Sequence, residues 1–260
     1  MIHIDPSATA IRDAAALFQN VLADGVLAWS SQTADGFAAN ALGPQTYDAW
    51  VPATLPATLS VALLAASECD TAAIIGHTLG SSGATVLVEW LNGSTWTTAA
   101  SVTPEDDRDI AMLFGAQEAS QWRIRITGPS APAIGVAMIG QRLRIPDGVR
   151  SGYVPLILAL DVELSPSVTV RGQYVGTFMK RTGGGTSIPL ATQDRQWIEG
   201  DARPFVAHYN AGRPFIWMSC PDLLPDDVAY CWRSGGTLKA SYGAGARRGD
   251  LSLEVSAYHG

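Results

Sequence analysis

Short segments in which apolar and polar residues alternate, broken by Gly, Pro and Asn, occupy most of the chain from about residue 28 onward. In WRIRI, residues 122–126, Trp122, Ile124 and Ile126 alternate with two arginines, which predicts a strand with one face in a core. Seven such segments precede residue 146, and strand segments with turn residues between them are typical of a β-sandwich. We predict these strands at 59–64, 72–77, 85–91, 95–99, 110–114, 122–127 and 134–143.

A second β-rich region follows the segment RIPDGVRSG, residues 144–152, whose proline, glycines and mixed charges are typical of a domain boundary. Between two of its strands lies KRTGGGTS, residues 180–187, which we interpret as a mobile loop. The predicted fold class is therefore all-β with two β-rich regions. The strands expected in this region are 153–160, 167–174, 177–181, 205–210, 214–219, 229–239 and 251–259.

One segment at the N-terminus has helical periodicity instead. Asp5 and Pro6 form a good N-cap and first turn, and Asp24 with Gly25 provides a stop. The apolar residues between them recur at helical spacing, and they are Ile11, Ala14, Ala15, Phe18, Val21 and Leu22. We predict an N-terminal helical arm over residues 1–27 that either covers a core or reaches a neighbouring subunit, and the sequence favours neither.

The stretch WLNGSTW, residues 90–96, predicts a tight hairpin, because Asn-Gly tolerates the positive φ of a type I′ turn. A two-residue turn at Asn92 and Gly93 places Glu89 opposite Trp96 and puts Trp90 and Trp96 on opposite faces. Trp90 then belongs to the core and Trp96 is free to meet a partner. A three-residue loop with a bulge would instead place both tryptophans on one face.

Composition limits the classes of partner. The chain of 260 residues is 47% hydrophobic and only 16% charged, which is common in proteins that cover much of their surface with other subunits. The net charge of −7 argues against a nucleic-acid-binding surface. Three cysteines without CxxC spacing predict free thiols, and we expect neither a secretory signal nor membrane insertion, because no long apolar run is present.

The search for catalytic groups finds little. His77, beside a Gly-rich turn, lacks a nucleophile motif and is better explained as a structural histidine. The lysine of KRTGGG precedes its glycines, unlike a phosphate-binding loop. A glycosidase pair among Glu68, Asp70 and Glu89 needs a spatial separation that sequence does not give. We therefore predict no catalytic residues, no cofactor and no enzyme.

The acidic cluster DDRD, residues 106–109, offers oxygen ligands that are close in sequence, as calcium prefers. A solvated turn after Pro104 explains the same residues, and we favour it. We therefore predict no metal site.

Residues 40–101 resemble the galactose-binding-like jelly-roll domain found in tail proteins of bacterial viruses. The resemblance rests on the Tyr47–Trp50 segment, PATLSV, IIGHTLG followed by GATV, and the hairpin that ends in tryptophan. DDRDIAMLF and QWRIRI, within residues 106–126, are similar to its later strands. The resemblance implies a jelly-roll β-sandwich over residues 28–146.

The C-terminal half, residues 147–260, resembles the companion region of distal-tail-type minor tail or baseplate proteins of long-tailed phages, through YVPLILALDVELSPSVTVRGQYVGTFMKRTGGGTSIPL and ARPFVAHYNAGRPFIWMSCPD. This implies a β-rich assembly domain in a homo-oligomeric ring, a hexamer or trimer, that joins the tail tube to the host-recognition apparatus. The implied partners are the tail tube, tape measure, hub and fibres, and the implied location is the virion, after assembly in the host cytoplasm. The candidate subunit contacts are Phe18, Lys180, Gly183, Gly184 and Gly185.

Two other functions stay open. The jelly roll is a candidate module for binding host-surface carbohydrate, with Tyr47, Trp50 and Trp96 as its candidate residues, although the small apolar loops around them argue against a specific sugar site. A polysaccharide or cell-wall hydrolase is the third function, and it lacks a nominated pair of carboxylates.

Overall fold

The computed structural model describes residues 1–243 and 245–258, with side chains for all of these except 160–162 and 180–183. The described strands are β1 (Ile2–Ile4), β2 (Ala14–Leu17), β3 (Val26–Trp29), β4 (Ala57–His77), β5 (Thr85–Asn92), β6 (Thr95–Val102), β7 (Ile110–Thr127), β8 (Ile134–Gly140), β9 (Leu143–Ile145), β10 (Leu160–Val168), β11 (Tyr174–Pro189), β12 (Gln193–Asp194), β13 (Phe215–Met218), β14 (Val228–Arg233), β15 (Ser241–Tyr242), β16 (Arg248–Asp250) and β17 (Ser252–Ala257). The described helices are α1 (Arg195–Glu199) and α2 (Arg203–Asn210), and single 3₁₀ turns occupy Val21–Ala23, Ala38–Leu42 and Leu156–Leu158. The predicted all-β class is confirmed. Neither described helix has the length and apolar character needed to span a membrane.

The chain forms two compact units. Of the described residues, unit 1 contains 1–148 and 214–230, and unit 2 contains 149–213 and those from 231 to 258. Each unit is therefore built from two separate segments of the chain. The predicted three-part division at residues 27/28 and 146/147 stays a prediction.

Unit 1 contains a β-sandwich built around two long strands, β4 and β7, each of which contributes to both sheets. In one sheet, Ala57–Ala62 of β4 pairs with β3 and with the second half of β7, and β5 and β6 continue from there. In the other sheet, the second half of β4 pairs with β8 and with the first half of β7, which also pairs with β1. Most apolar positions that alternate along these strands are buried between the two sheets.

A third layer of unit 1 consists of β9, β2 and β13, paired in that order. Ala15 of β2 and Met218 of β13 pack in one buried cluster with Ile2, Ala111 and Leu113 of the sandwich. The second sheet of the sandwich is thus covered on both of its faces.

The predicted N-terminal helix is wrong, because the segment contains β1, β2 and a 3₁₀ turn. Asp5 accepts hydrogen bonds from the backbone and hydroxyl of Ser7 and so closes a local turn instead of capping a helix. All four residues of Ala14–Leu17 are buried between neighbouring strands, and this burial on both faces overrides the helical spacing of the apolar residues. Phe18, predicted as a contact of that helix, is half-buried just after β2, and its role as a subunit contact stays a prediction.

Unit 2 is a second β-rich body in which β10, β11, β17 and β14 pair in that order. Helix α2 packs on it through Tyr209, whose hydroxyl donates to the carbonyl oxygen of Glu254 at 2.7 Å. Residues 205–210 belong to α2, so the strand predicted there is wrong. Pro204 lies in the first turn of this helix, where proline is favoured, and it was the sequence feature that indicated a helix here.

The glycine tract of unit 2 is not a mobile loop, since residues 180–187 lie inside strand β11. Gly183 pairs with Asp161 of β10, and Gly184 and Gly185 pair with β17. A Cβ atom at Gly185 would meet the carbonyl oxygen of Val255 at 3.0 Å, so glycine allows this close approach of two backbones. The side chain of Lys180 lies outside the described residues, and the glycines' role as subunit contacts stays a prediction.

Candidate functional site

The connection between β3 and β4 is the most aromatic exposed part of unit 1. Within residues 29–56, which we call the aromatic loop, Trp29 is 46% exposed, Phe37 is 50% exposed and Tyr47 is 82% exposed. Exposed aromatic side chains combine an apolar ring face with access to solvent, which makes this segment the candidate binding surface of unit 1.

Trp50 anchors this loop in the core. Its side chain is fully buried, and its indole N–H donates to the carbonyl oxygen of Ser31 at 3.1 Å. Its backbone exchanges two hydrogen bonds with Ile134 at the start of β8, at 2.8 and 2.9 Å. The loop is therefore fixed to the sandwich at its centre as well as at its ends.

Further hydrogen bonds close the loop on itself. The backbone N–H of Thr33 donates to Val51, and that of Val51 donates to Gly36. The side chain of Gln32 accepts from the backbone of Ala38 at 2.9 Å. These bonds hold the exposed aromatic side chains on an ordered segment. Ligand binding therefore costs less conformational entropy than it would on a flexible loop.

The three predicted sugar-binding residues have three different environments. Tyr47 is exposed on the aromatic loop, as a ligand-stacking ring requires. Trp50 is not available to a ligand, because its side chain fills the core. Trp96 is half-buried and lies elsewhere on the sandwich. The structure thus separates residues that the sequence grouped together.

Trp96 covers an ion pair on the outer face of the first sheet. The guanidinium of Arg123 lies 4.1 Å from the centre of the Trp96 ring. The same guanidinium donates from Nε to the buried Glu89 carboxylate at 2.5 Å, and Arg125 approaches that carboxylate at 3.8 Å. One face of the Trp96 ring is therefore already occupied by a cation.

The hairpin that carries Trp96 differs in register from the predicted one. Leu91 pairs with Trp96 and Trp90 pairs with Thr97, so the two-residue turn is Gly93-Ser94 and not Asn92-Gly93. Gly93 has a φ of 64°, and glycine at the first central position with positive φ is the signature of a type II′ turn. The predicted placement on opposite faces still holds, with Trp90 packed against the core.

The two ends of the aromatic loop lie apart from Trp96 in the sheet. The loop enters β4 at Ala57, which pairs with Ile126, and Ile126 also pairs with Val86 near the start of β5. Trp96 pairs with Leu91 near the end of β5. Five residues of strand separate these points by about 17 Å. Trp29 lies on β3 and Trp96 on β6, at opposite edges of the strand order β3-β4-β7-β5-β6, so these two rings form no common site.

Trp29 and Phe37 are the residues that sequence reasoning missed. Trp29 ends a strand, and Phe37 lies among alanines and glycine, so neither stands in an alternating pattern that marks it as outward-facing. The sequence feature that could have identified them is the presence of four aromatic residues within residues 29–50, a region without regular strands.

Acidic side chains on a neighbouring loop are each engaged with a different donor. Asp106 pairs with Arg108 at 2.7 Å, and Asp107 accepts from the backbone of Ser81 at 2.9 Å. These hydrogen bonds lower the pKa of both carboxyls. Within the part of the chain that the structure describes, no three His, Cys, Asp or Glu side chains form a group able to hold a metal ion.

Two buried titratable groups lie behind these loops. His77 is buried, and its Nδ1 accepts from the backbone N–H of Leu79 at 3.2 Å, while burial lowers its pKa to about 4. Asp109 is also buried, and burial raises its pKa to about 6 against the opposing hydrogen bond from the backbone of Gly76. His77 is thus neutral at pH 7, and its Nε2 is buried without a hydrogen-bond partner among the described residues.

The carboxylates considered for a hydrolase have structural partners. Asp70 is buried beside Arg142, with Nε and Oδ2 3.6 Å apart, and also accepts from the backbone of Arg142 at 3.0 Å. Glu89 is buried against Arg123. Glu68 accepts from the side chain of Gln141 at 2.5 Å. Asp70 and Glu89 are thus used in packing strands together, whereas Glu68 is exposed.

No family model matches the chain, and none of the curated proteins matches it in sequence. Among solved structures it is similar to chitosan-binding module 1 from a chitosanase/glucanase of Paenibacillus sp. IK-5, with a TM-score of 0.39 and 19% identity over 46% of this chain and 98% of the module.

A family 32 carbohydrate-binding module from C. perfringens, solved with galactose, gives a TM-score of 0.39 and 19% identity over 48% of this chain and 98% of the module. A family GH29 fucosidase from Ruminococcus gnavus gives a TM-score of 0.40 and 14% identity over 47% of this chain and 26% of the enzyme. Carbohydrate-binding modules thus recur among the similar structures, but likenesses this distant carry no argument about what this chain binds or does.

Proposed function

We propose that unit 1 is a non-catalytic module that binds carbohydrate through the aromatic loop. The observation that carries this proposal is the exposure of Trp29, Phe37 and Tyr47, between 46% and 82%, on one segment that Trp50 fixes to the core. Aromatic rings stack on the apolar C–H faces of sugar rings, and an anchored loop presents them with little loss of entropy.

The charge of the loop selects among sugars. Residues 29–56 contain Asp35 and Asp48 and no lysine or arginine, and the whole chain has a net charge of −7. Negative charge repels sulfated and uronic-acid polysaccharides and favours neutral or amino sugars. The proposed ligand is therefore a neutral or amino-sugar glycan.

The test is a glycan array with the full chain, followed by titration calorimetry with the best ligand. The array includes chito-oligosaccharides, galactosides and sulfated glycans as separate groups. Tyr47→Ala and Phe37→Ala are expected to weaken binding at least about tenfold, which corresponds to the loss of about 1.4 kcal/mol.

Phe178→Ala, an exposed aromatic residue of unit 2, is the matched control and is expected to leave binding unchanged. Binding by no member of the array, or equal binding by the Tyr47 and Phe37 variants, would refute the proposal. A preference for sulfated glycans would contradict the charge argument alone.

A structural role is the second candidate. We propose as its specific form a ring-forming subunit of a phage tail tip or baseplate, located in the virion. Its support is the resemblance described above together with the apolar side chains that unit 2 exposes, among them Leu158 at 73% and Val170 at 107%. Negative-stain images of the purified chain test it, since a ring with a central hole is expected and dispersed single particles would contradict it.

A further inference from the structure

Strands β10 and β11 extend beyond the rest of their sheet as a two-stranded ribbon, residues 164–179. Within the described residues β17 pairs with β11 over Gly184–Pro189, whereas β10 follows β11 out to the pair of Val168 and Tyr174. Two-stranded hairpins are marginally stable in water unless another surface packs on them. The ribbon therefore needs a packing partner that its own sheet does not supply.

One face of the ribbon is apolar. Directly opposed residues share a face, and Leu164 is opposed to Met179. The Tyr174 hydroxyl lies 2.7 Å from the Thr177 hydroxyl, so these two side chains are on one face despite the bulge between them. We define the apolar face as Leu164, Pro166, Val168, Tyr174, Thr177 and Met179. The other face carries Ser165, Ser167, Gly176 and Phe178.

The apolar face is exposed over an area that suits a protein interface. Leu164 is 56%, Val168 64%, Tyr174 69% and Met179 62% exposed. Together they present on the order of 500 Å² of mostly apolar surface, which is the apolar share expected of an interface that buries about 800 Å² per partner.

Charge and strand chemistry limit how this face makes contact. Between residues 164 and 179 the only charged residue is Arg171, and charged residues are depleted from interface centres. β10 is the edge strand of its sheet, and Pro166 removes a backbone donor from it, which disfavours extension of the sheet by another strand. Contact through the side chains of the face remains.

We infer that the apolar face of the ribbon packs against the same face of a second copy of this chain. Apolar sheet faces stack about 10 Å apart, and a second copy presents a face of equal size that likewise lacks charge. A contact between identical faces is closed by a two-fold axis, which makes it self-limiting. The inference does not depend on carbohydrate binding by the aromatic loop.

The test measures the mass of the full chain in solution by light scattering coupled to size-exclusion chromatography. The double variant Leu164→Ser/Met179→Ser removes one opposed pair from the apolar face. Phe178→Ser makes the matched change on the opposite face, where Phe178 is 66% exposed. Val168→Asn is a second variant of the apolar face, and circular dichroism verifies that every variant is folded.

The wild type and Phe178→Ser are expected to contain an even number of copies, and both apolar-face variants are expected to lose that association and halve in mass. A monomeric wild type overturns the inference, as does an odd number of copies, because identical faces then cannot all be paired. An assembly that survives both apolar-face variants, or that Phe178→Ser disrupts equally, also overturns it. Glycan binding measured on the same samples separates this outcome from that of the proposed function.

Discussion

The guanidinium of Arg123 lies 4.1 Å from the centre of the Trp96 ring and also contacts the buried carboxylate of Glu89. This stack gives each group a partner on the outer face of a sheet, since the carboxylate is neutralised and the ring covers the cation. Trp96 therefore stabilises the hairpin and its neighbour β7, and its ring is not a free platform for a ligand.

Trp96→Leu is expected to lower the free energy of unfolding by about 1 kcal/mol, because leucine retains apolar cover but lacks the ring quadrupole that attracts Arg123. Glycan binding is expected to be unchanged, since Trp96 is not part of the aromatic loop. Urea unfolding and calorimetry measure the two quantities. A loss of binding with unchanged stability would reverse the roles assigned to Trp96 and the loop.

Trp50 and Tyr47 are expected to respond in opposite ways to truncation. Trp50→Ala empties a fully buried site and should cost about 3–5 kcal/mol of folding free energy. Tyr47→Ala removes an 82% exposed side chain and should change stability by no more than about 0.5 kcal/mol while it weakens glycan binding. Thermal and urea unfolding of both variants test the contrast, which fails if Tyr47→Ala destabilises as much as Trp50→Ala.

Asp70→Asn is expected to be strongly destabilising, by about 3–5 kcal/mol, because it leaves the guanidinium of Arg142 buried without its counter-charge. Arg142 also donates to the carbonyl oxygen of Thr9 at 2.5 Å, so the N-terminal segment loses an anchor if the guanidinium moves. Asp13→Asn breaks the more exposed pair with Arg144 and serves as the control, with an expected cost below about 1 kcal/mol. Equal costs for the two variants would contradict the role given to burial.

His77 and Asp109 give the free energy of unfolding opposite dependences on pH. Burial lowers the pKa of His77 from 6.5 to about 4, so its contribution is complete above pH 6.5 and is lost as the pH falls through 4. Burial raises the pKa of Asp109 from 3.8 to about 6, so its contribution is complete below pH 3.8 and is lost as the pH rises through 6. In the wild type these two contributions largely cancel between those limits.

Single variants should reveal each contribution. Asp109→Asn removes the opposing contribution and leaves that of His77, so stability is expected to rise by about 3 kcal/mol between pH 4 and 6.5, at about 1.4 kcal/mol per pKa unit. In His77→Asn stability is expected to fall by a similar amount over the same range. Urea unfolding in steps of pH measures both slopes, and slopes of the same sign in the two variants would rule this assignment out.

Sequence alone was sufficient for properties that depend on the parity of positions along a strand. The alternation in residues 122–126 gave Trp122, Ile124 and Ile126 to the core, where they are buried. Trp90 and Trp96 were assigned to opposite faces although the turn was misplaced. Between the turn and Glu89, partner numbers sum to 187 and not 185, and a shift of two leaves these side chains on their faces.

Tertiary structure decided what parity and local propensity do not determine. Ala14–Leu17 is a strand because neighbouring strands bury all four residues, which overrides a helical spacing of apolar residues. Trp50 and Tyr47 are three residues apart in an irregular loop, yet Trp50 is buried and Tyr47 is exposed. The difference arises because the fold places Trp50 against Ile134. Burial of a loop side chain depends on which distant parts of the chain pack against it. The local pattern of apolar and polar residues does not determine those contacts.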